Sequence, residues 1–386
     1  MAACLTKWKT MAHRVCLVTV HGIGFQQPPE DGRPGYADGL HSLLDRQLGE
    51  LLCQDPDPAG RRYGPVYLQS SWHGSPDAGR SRLDGPLGEA PVAHVALVYS
   101  DLEEIVPRPG AMAETATRAA LSLGHYTSVA GAMRLILADV WANLRPSPEV
   151  ERPVGLTPRA GVPRAHHLLG RMAGAMHPGP RPEPSGSIST LVALEDDMAS
   201  YVTRNDLRER VRGFVQEALV RLARRDDIER LVVNAHSQGT VICFDVLARL
   251  PADICGERLA KFITAGSPIR KYIDLLSWGE RVGGLAPLAD MTGWLNFWDE
   301  HDPVADPLDP PASWHPGDPL DRRSAGELGL LISLTRDGML THCRVDDRKV
   351  DNLREPSSGG LPAHDYWSNE TDFVNPLAKL LRSLAE

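Results

Sequence analysis

The chain of 386 residues reads as an α/β protein with a mostly parallel central sheet covered by helices on both faces. Three observations predict it. Short, unbroken apolar runs, the pattern of strands buried on both sides, recur from Val15 to Val350. Segments of helical periodicity alternate with them along the chain. Across Leu231–Ile242 one such run passes into a helix-compatible stretch over only His236-Ser237-Gln238, a tight strand-to-helix join.

Composition narrows the class. Hydrophobic residues make up 42% of the chain, enough for a large core, and the net charge of −9 comes without a basic cluster. Phosphate backbones need concentrated Lys and Arg, so no nucleic-acid partner is expected. Met1 to Arg14 lacks the uninterrupted apolar core and cleavage site of a secretory signal. The six cysteines show no C-x-x-C pair or metal-ligand spacing and lie mostly in apolar segments, which suits buried thiols in a reducing, cytoplasmic setting.

In chain order, Val15–Val20 is the first strand, followed at once by His21-Gly22-Ile23-Gly24, a glycine-bracketed turn that leaves backbone N–H groups free to face a cleft. Such a turn either binds an anion or simply reverses the chain. Tyr36–Leu52 is a helix with Leu40, Leu43, Leu44, Leu48 and Leu51 on one stripe, stopped by Pro56 and Pro58. Val66–Trp72 and Val92–Tyr99 are strands, separated by a polar Gly- and Pro-rich loop.

From Asp101 the pattern changes. Ala111–Leu144 is Ala/Leu-rich and helical, and Pro146–Pro184 is dense in Pro, Gly, Arg and His, too long for a simple connection. The chain therefore divides into residues 1–100 as the first part of a core, 101–188 as a helical lid or cap, and 189–386 as the second part, with a small excursion at about 271–290. The uncharged span between Arg118 and Arg134 is shorter than the ~20 apolar residues a membrane helix needs. It suits a packed lid helix, with peripheral lipid contact as an option and no transmembrane segment. His166, His167 and His177 lack carboxylate or cysteine company, so no metal site is expected there.

Ser189–Arg224 is a helix with acids early and arginines late, as the helix dipole prefers. After the strand and helix around Ser237, Leu259–Ala265 and Trp294–Trp298 are strands, Met339–Val350 holds one more, and Leu377–Leu384 is a closing helix.

Candidate reactive residues gather at the ends of these strands, where open α/β sheets place them. Ala235-His236-Ser237-Gln238-Gly239 has the G-x-S-x-G form with alanine in the first glycine position, and its serine is forced outward. A serine hydroxyl is a poor nucleophile at neutral pH and needs a histidine base oriented by a carboxylate. Asp302, in Asp302-Pro303-Val304 just past a strand, is the preferred acid, with Asp299 as runner-up. His364, on the loop between the last strand and the last helix, is the preferred base over His342, His301 and His236.

The set Ala235–Gly239, Asp302-Pro303-Val304 and His364, in the order Ser, Asp, His, resembles the α/β-hydrolase family on its lipase and esterase side. His21-Gly22-Ile23-Gly24 is similar to that family's oxyanion loop. The resemblance covers the elements from Val15 to the C-terminus but not the lid, and implies an α/β-hydrolase fold, catalytic Ser237, Asp302 and His364, and an oxyanion hole from the N–H groups of Ile23 and Gln238. His21, Gly22, Gly24 and His236 are the candidate substrate-binding residues around it. It implies a carboxylic-ester hydrolase without cofactor or metal, and the apolar residues of the lid point to a hydrophobic or bulky ester (a lipid, lactone or natural-product ester). An acyltransferase with the same triad and a non-catalytic ligand-binding protein are the alternatives, and the oligomeric state is open.

Overall fold

The computed structural model describes residues 13–22, 29, 34–53, 64–70, 85, 87–99, 201, 205–251, 253–270, 272, 293–302, 304–308, 332–334, 340–342, 345–354 and 362–386. The expected lid at 101–188, nearly all of the excursion at 271–290, and Ile23 and Gly24 lie outside the described residues.

In chain order the elements are β1 (His13–Val20), α1 (Asp38–Leu48), β2 (Val66–Gln69), β3 (Val92–Val98), α2 (Asn205–Ala223), β4 (Ile228–His236) and α3 (Gln238–Leu247). They continue with β5 (Leu259–Ala265), β6 (Trp294–Asp299), β7 (Ile332–Leu334), β8 (Leu340–His342), β9 (Val345–Val350) and α4 (Asn375–Ala385). Seven strands form one sheet in the order β2-β3-β1-β4-β5-β6-β9, and every neighbouring pair is parallel.

Parallel pairing explains the unbroken apolar runs, because both faces of the sheet are covered. Cys16, Val18, Val20, Val233, Ala235 and Phe262 pack with Phe214 and Leu219 of α2 and Phe244 of α3. The alternate residues Val15, Leu17, Val232, Ile263 and Phe297 pack on the opposite face with Leu40 and Leu44 of α1 and Leu377 and Leu381 of α4. Fully burying one such aliphatic side chain contributes about 1.5–3 kcal/mol.

The one strand expected within Met339–Val350 is two. Leu340–His342 pairs antiparallel with Ile332–Leu334 in a separate ribbon, and only Val345–Val350 joins the main sheet, as its edge. The sequence Val345-Asp346-Asp347-Arg348-Lys349-Val350 is charged because an edge strand faces water along its length, and its charges discourage pairing with another chain.

The order of strands reverses direction at β1. From there the chain goes out to β2 at one edge and returns to β3 beside β1, then crosses to the other side and builds outward through β4, β5, β6 and β9. The carboxyl ends of β1 and β4 therefore flank a topological switch point, the place where open α/β sheets leave a crevice. His21-Gly22 follows one of these ends and Ser237 the other. Among the described residues no helix is long and apolar enough to cross a membrane.

Candidate active site

Strand β4 ends at His236 and α3 begins at Gln238, so the whole join is Ser237. Its backbone has φ 52° and ψ −128°, and it is the only non-glycine residue with positive φ among the described residues. Such a conformation costs on the order of 1–3 kcal/mol and persists only where the surroundings impose it. Here they do: the Ser237 N–H donates to the Ala265 carbonyl of β5 at 2.9 Å, and the Ser237 carbonyl accepts from the Thr240 N–H at 2.9 Å and the Thr240 hydroxyl at 2.7 Å.

The glycine at 239 is required by a close approach from another strand. A Cβ on Gly239 would strike the carbonyl oxygen of His21, so clearance is needed against the end of β1. Gly22 lies against the serine itself, a Cβ there falling 2.5 Å from Ser237 Cβ. The β1 turn and the Ser237 turn are thus in direct contact.

On the next strands, β6 ends at Asp299 and the chain turns back through an Asp302 N–H to Asp299 carbonyl bond of 3.0 Å. That turn sends the two carboxylates to different places. Asp302 Oδ2 accepts from His364 Nδ1 at 2.8 Å and from the Tyr366 hydroxyl at 2.9 Å, while Oδ1 accepts from the Val304 N–H at 2.9 Å. Asp299 instead accepts from the His301 N–H and ring and, through Oδ2, from the Asn352 N–H at 2.7 Å. Asp299 therefore ties two loops together, and Asp302 is the carboxylate that meets the imidazole.

Burial would raise the Asp302 carboxyl, but the His364 ring, with the Val304 and Tyr366 hydrogen bonds, outweighs it and holds the group below the ordinary carboxylate value. Tyr366 is fully buried, and burial together with Asp302 keeps its phenol far above the usual range, so it stays a donor. Its oxygen in turn accepts from the Asp299 N–H at 2.9 Å. Nothing in the sequence singled out Tyr366, because no spacing rule links a tyrosine to a carboxylate on a loop 64 residues earlier.

His364 lies over the end of β5. A Cβ on Gly266, whose φ is +62°, would fall 2.6 Å from His364 Cε1 and 2.8 Å from Nδ1, so only glycine leaves room for the ring. With Nδ1 donating to Asp302, the neutral ring keeps a lone pair on Nε2. His364 Nε2 and Ser237 Oγ are both buried and neither has a hydrogen-bond partner. Unpaired buried polar atoms are rare in folded proteins and mark places where chemistry or a ligand claims them.

The remaining candidates divide. The first residue of α3, Gln238, accepts from the buried Tyr272 hydroxyl at 2.7 Å through Oε1, and its Nε2 is unpartnered. His21 has both ring nitrogens engaged within the protein, Nδ1 donating to the Gly22 carbonyl at 2.6 Å and Nε2 accepting from the Tyr99 N–H at 3.2 Å. Its ring stacks on Tyr99 at 3.9 Å, and the Tyr99 hydroxyl shares its proton between the His21 and Gly22 carbonyls. These contacts shape the β1 turn. The ring of His236 is likewise engaged, Nε2 donating to the His364 carbonyl at 2.9 Å. Among the described residues no group of three or more His, Cys, Asp or Glu is placed to hold a metal ion.

Buried neutral histidines make stability depend on pH. Burial pushes His21 down to about 3, and burial with the adjacent His41 lowers His94, which is hydrogen-bonded to Thr19 and His41. The unfolded chain binds protons at these groups below about pH 6.5, which the folded chain refuses. Stability is then full above that pH and falls as pH drops below it, by about 1.4 kcal/mol per pH unit for each group until the folded ring itself takes a proton. Denaturant midpoints at pH 7, 6 and 5 are expected to decline, most steeply over the last interval; a flat series would mean that these rings are charged in the folded state.

Comparison of the chain with family models, with curated proteins and with solved structures finds no match.

Proposed function

We propose that this chain is a serine hydrolase of the α/β-hydrolase type that cleaves carboxylic esters through an acyl-enzyme. The observation that carries the reading is the 2.8 Å bond between His364 Nδ1 and Asp302 Oδ2, across 62 residues of chain, beside a serine held at positive φ. A carboxylate on Nδ1 orients the imidazole in the tautomer whose Nε2 accepts a proton, and it stabilises the imidazolium that results.

In the proposed reaction Ser237 Oγ passes its proton to His364 Nε2 and bonds to the acyl carbon, sending the carbonyl electron pair onto oxygen. The N–H of Gln238, in the first turn of α3 where amides have no helical partner, meets that oxyanion, with the N–H of Ile23 as second donor. His364 then returns the proton to the departing alcohol, the carbon–oxygen bond breaks, and water deprotonated by the same ring releases the acid. Each oxyanion donor supplies on the order of 10²–10³ in rate.

The apolar residues Met112, Leu121, Leu123, Met133, Leu135, Ile136, Leu137 and Trp141 of the expected lid suit either a pocket for a hydrophobic or bulky ester or the packing of the lid onto the core. Purified protein treated with a fluorophosphonate probe is expected to carry the adduct on Ser237 and to lose p-nitrophenyl ester turnover in proportion. Folded protein that turns over no ester and takes no label at Ser237 overturns the proposal, leaving a ligand-binding role. Product analysis with a competing alcohol present separates hydrolysis from acyl transfer.

A further inference from the structure

Two histidines flank Ser237, and the structure gives them opposite tasks. We infer that His236 is a positioning residue, whose Nε2–H bond to the His364 carbonyl fastens the segment carrying the base to the strand carrying the nucleophile. The inference rests on the reading of Ser237, Asp302 and His364 proposed above.

The need for such a fastening follows from where His364 sits. It closes a single helical turn, Pro362–His364, which belongs to no sheet strand or long helix. Asp302 fixes one ring nitrogen, but a ring held at one atom by a hydrogen bond still swings if its own backbone shifts. Two consecutive carbonyls of this turn are held by side chains from elsewhere. The Ala363 carbonyl accepts from Asn352 Nδ2 at 2.6 Å, and the His364 carbonyl accepts from His236 Nε2 at 2.9 Å. Asn352 is anchored in turn by Asp299 and Asn369. Only the His236 bond runs directly to the residue adjoining Ser237, so it couples the base to the nucleophile and not merely to the edge of the sheet.

The His236 ring also fills space. Its centroid lies 4.6 Å from that of His364 and 5.1 Å from that of Trp367, so it packs against both rings and blocks one direction of movement of the base. Nε2 donates to a carbonyl and so has no lone pair with which to take the serine proton, and the orienting carboxylate that a base needs is on His364, not on His236. Burial, reinforced by His364, pushes His236 down to about 3, which keeps a second positive charge away from the imidazolium that forms during turnover.

The side-chain amide of glutamine reaches as far as the Nε2 of histidine and donates; asparagine is one bond shorter, and phenylalanine keeps the ring without the donor. Steady-state kinetics on a p-nitrophenyl ester and the rate of fluorophosphonate labelling would be measured for the full-length chain and for H236F, H236N and H236Q. H236F and H236N are expected to lose about 10–100-fold in kcat and in labelling rate with KM changed less than about twofold, the scale of a misplacement near 1 Å. H236Q is expected to recover most of that loss. Wild-type kcat in H236F, or equal losses in H236Q and H236N at matched denaturant midpoints, overturns the inference while leaving the serine-hydrolase reading intact. If H236F does not fold, the contrast between H236Q and H236N decides by itself. Wild-type protein that neither labels nor turns over ester overturns both.

Discussion

Replacing Ser237 with alanine is expected to abolish ester turnover, by on the order of 10⁵-fold or more in kcat, while leaving the protein as stable as before or slightly more so. The first half follows from removing the atom that forms the acyl bond. The second follows from the turn. Ser237 Oγ is buried without a hydrogen-bond partner, and leaving such a group unpaired costs about 1–3 kcal/mol that alanine does not incur. The positive φ is no harder for alanine than for serine, and the backbone bonds to Ala265 and Thr240 do not involve the side chain lost. Ser237→Gly is expected to stabilise further, because glycine also relieves the strain at φ 52°. Kinetics and denaturant midpoints on the same preparations check both halves. A Ser237→Ala protein that keeps its rate removes the nucleophile from this residue, and one that loses stability along with rate shows that the hydroxyl is structural.

Asp302→Asn is expected to lower kcat by about 10⁴-fold, the scale seen when a triad acid becomes an amide and the base adopts the wrong tautomer. The local geometry makes the amide a poor substitute. All three groups facing the Asp302 carboxylate are donors, namely His364 Nδ1 and the Tyr366 hydroxyl at Oδ2 and the Val304 N–H at Oδ1. Whichever way an asparagine turns, its NH₂ meets at least one donor. Asp299→Asn faces a similar conflict with the donors of His301 and Asn352, but at a place that braces loops. It is expected to cost about 1–3 kcal/mol of stability with a far smaller change in kcat. Equal kinetic losses in the two variants, at equal stability, would exclude Asp302 as the specific partner of the base.

The strands that carry the site were legible because burial on both faces leaves a mark in local composition. Val15–Val20, Val92–Val98 and Leu259–Ala265 are apolar throughout for that reason, and their places in the sheet agree closely with the runs. Val345–Val350 was poorly legible because an edge strand in water has little apolar patterning, and nothing local distinguishes it from the antiparallel ribbon just before it. The close approach at Gly239 was not legible, because its partner, the His21 carbonyl, follows a strand more than 200 residues earlier.

The sequence by itself determined a parallel α/β sheet and the place where a strand must turn into a helix through a single serine, since both follow from residues near one another in the chain. Only the tertiary structure decided which of two carboxylates three positions apart meets His364, and that the rings of His21 and His236 are engaged within the protein. The physical reason is range. Apolar periodicity and turn chemistry act over a few residues, whereas a hydrogen bond between Asp302 and His364 exists only once strand order and a single turn after β6 have set the direction of each side chain.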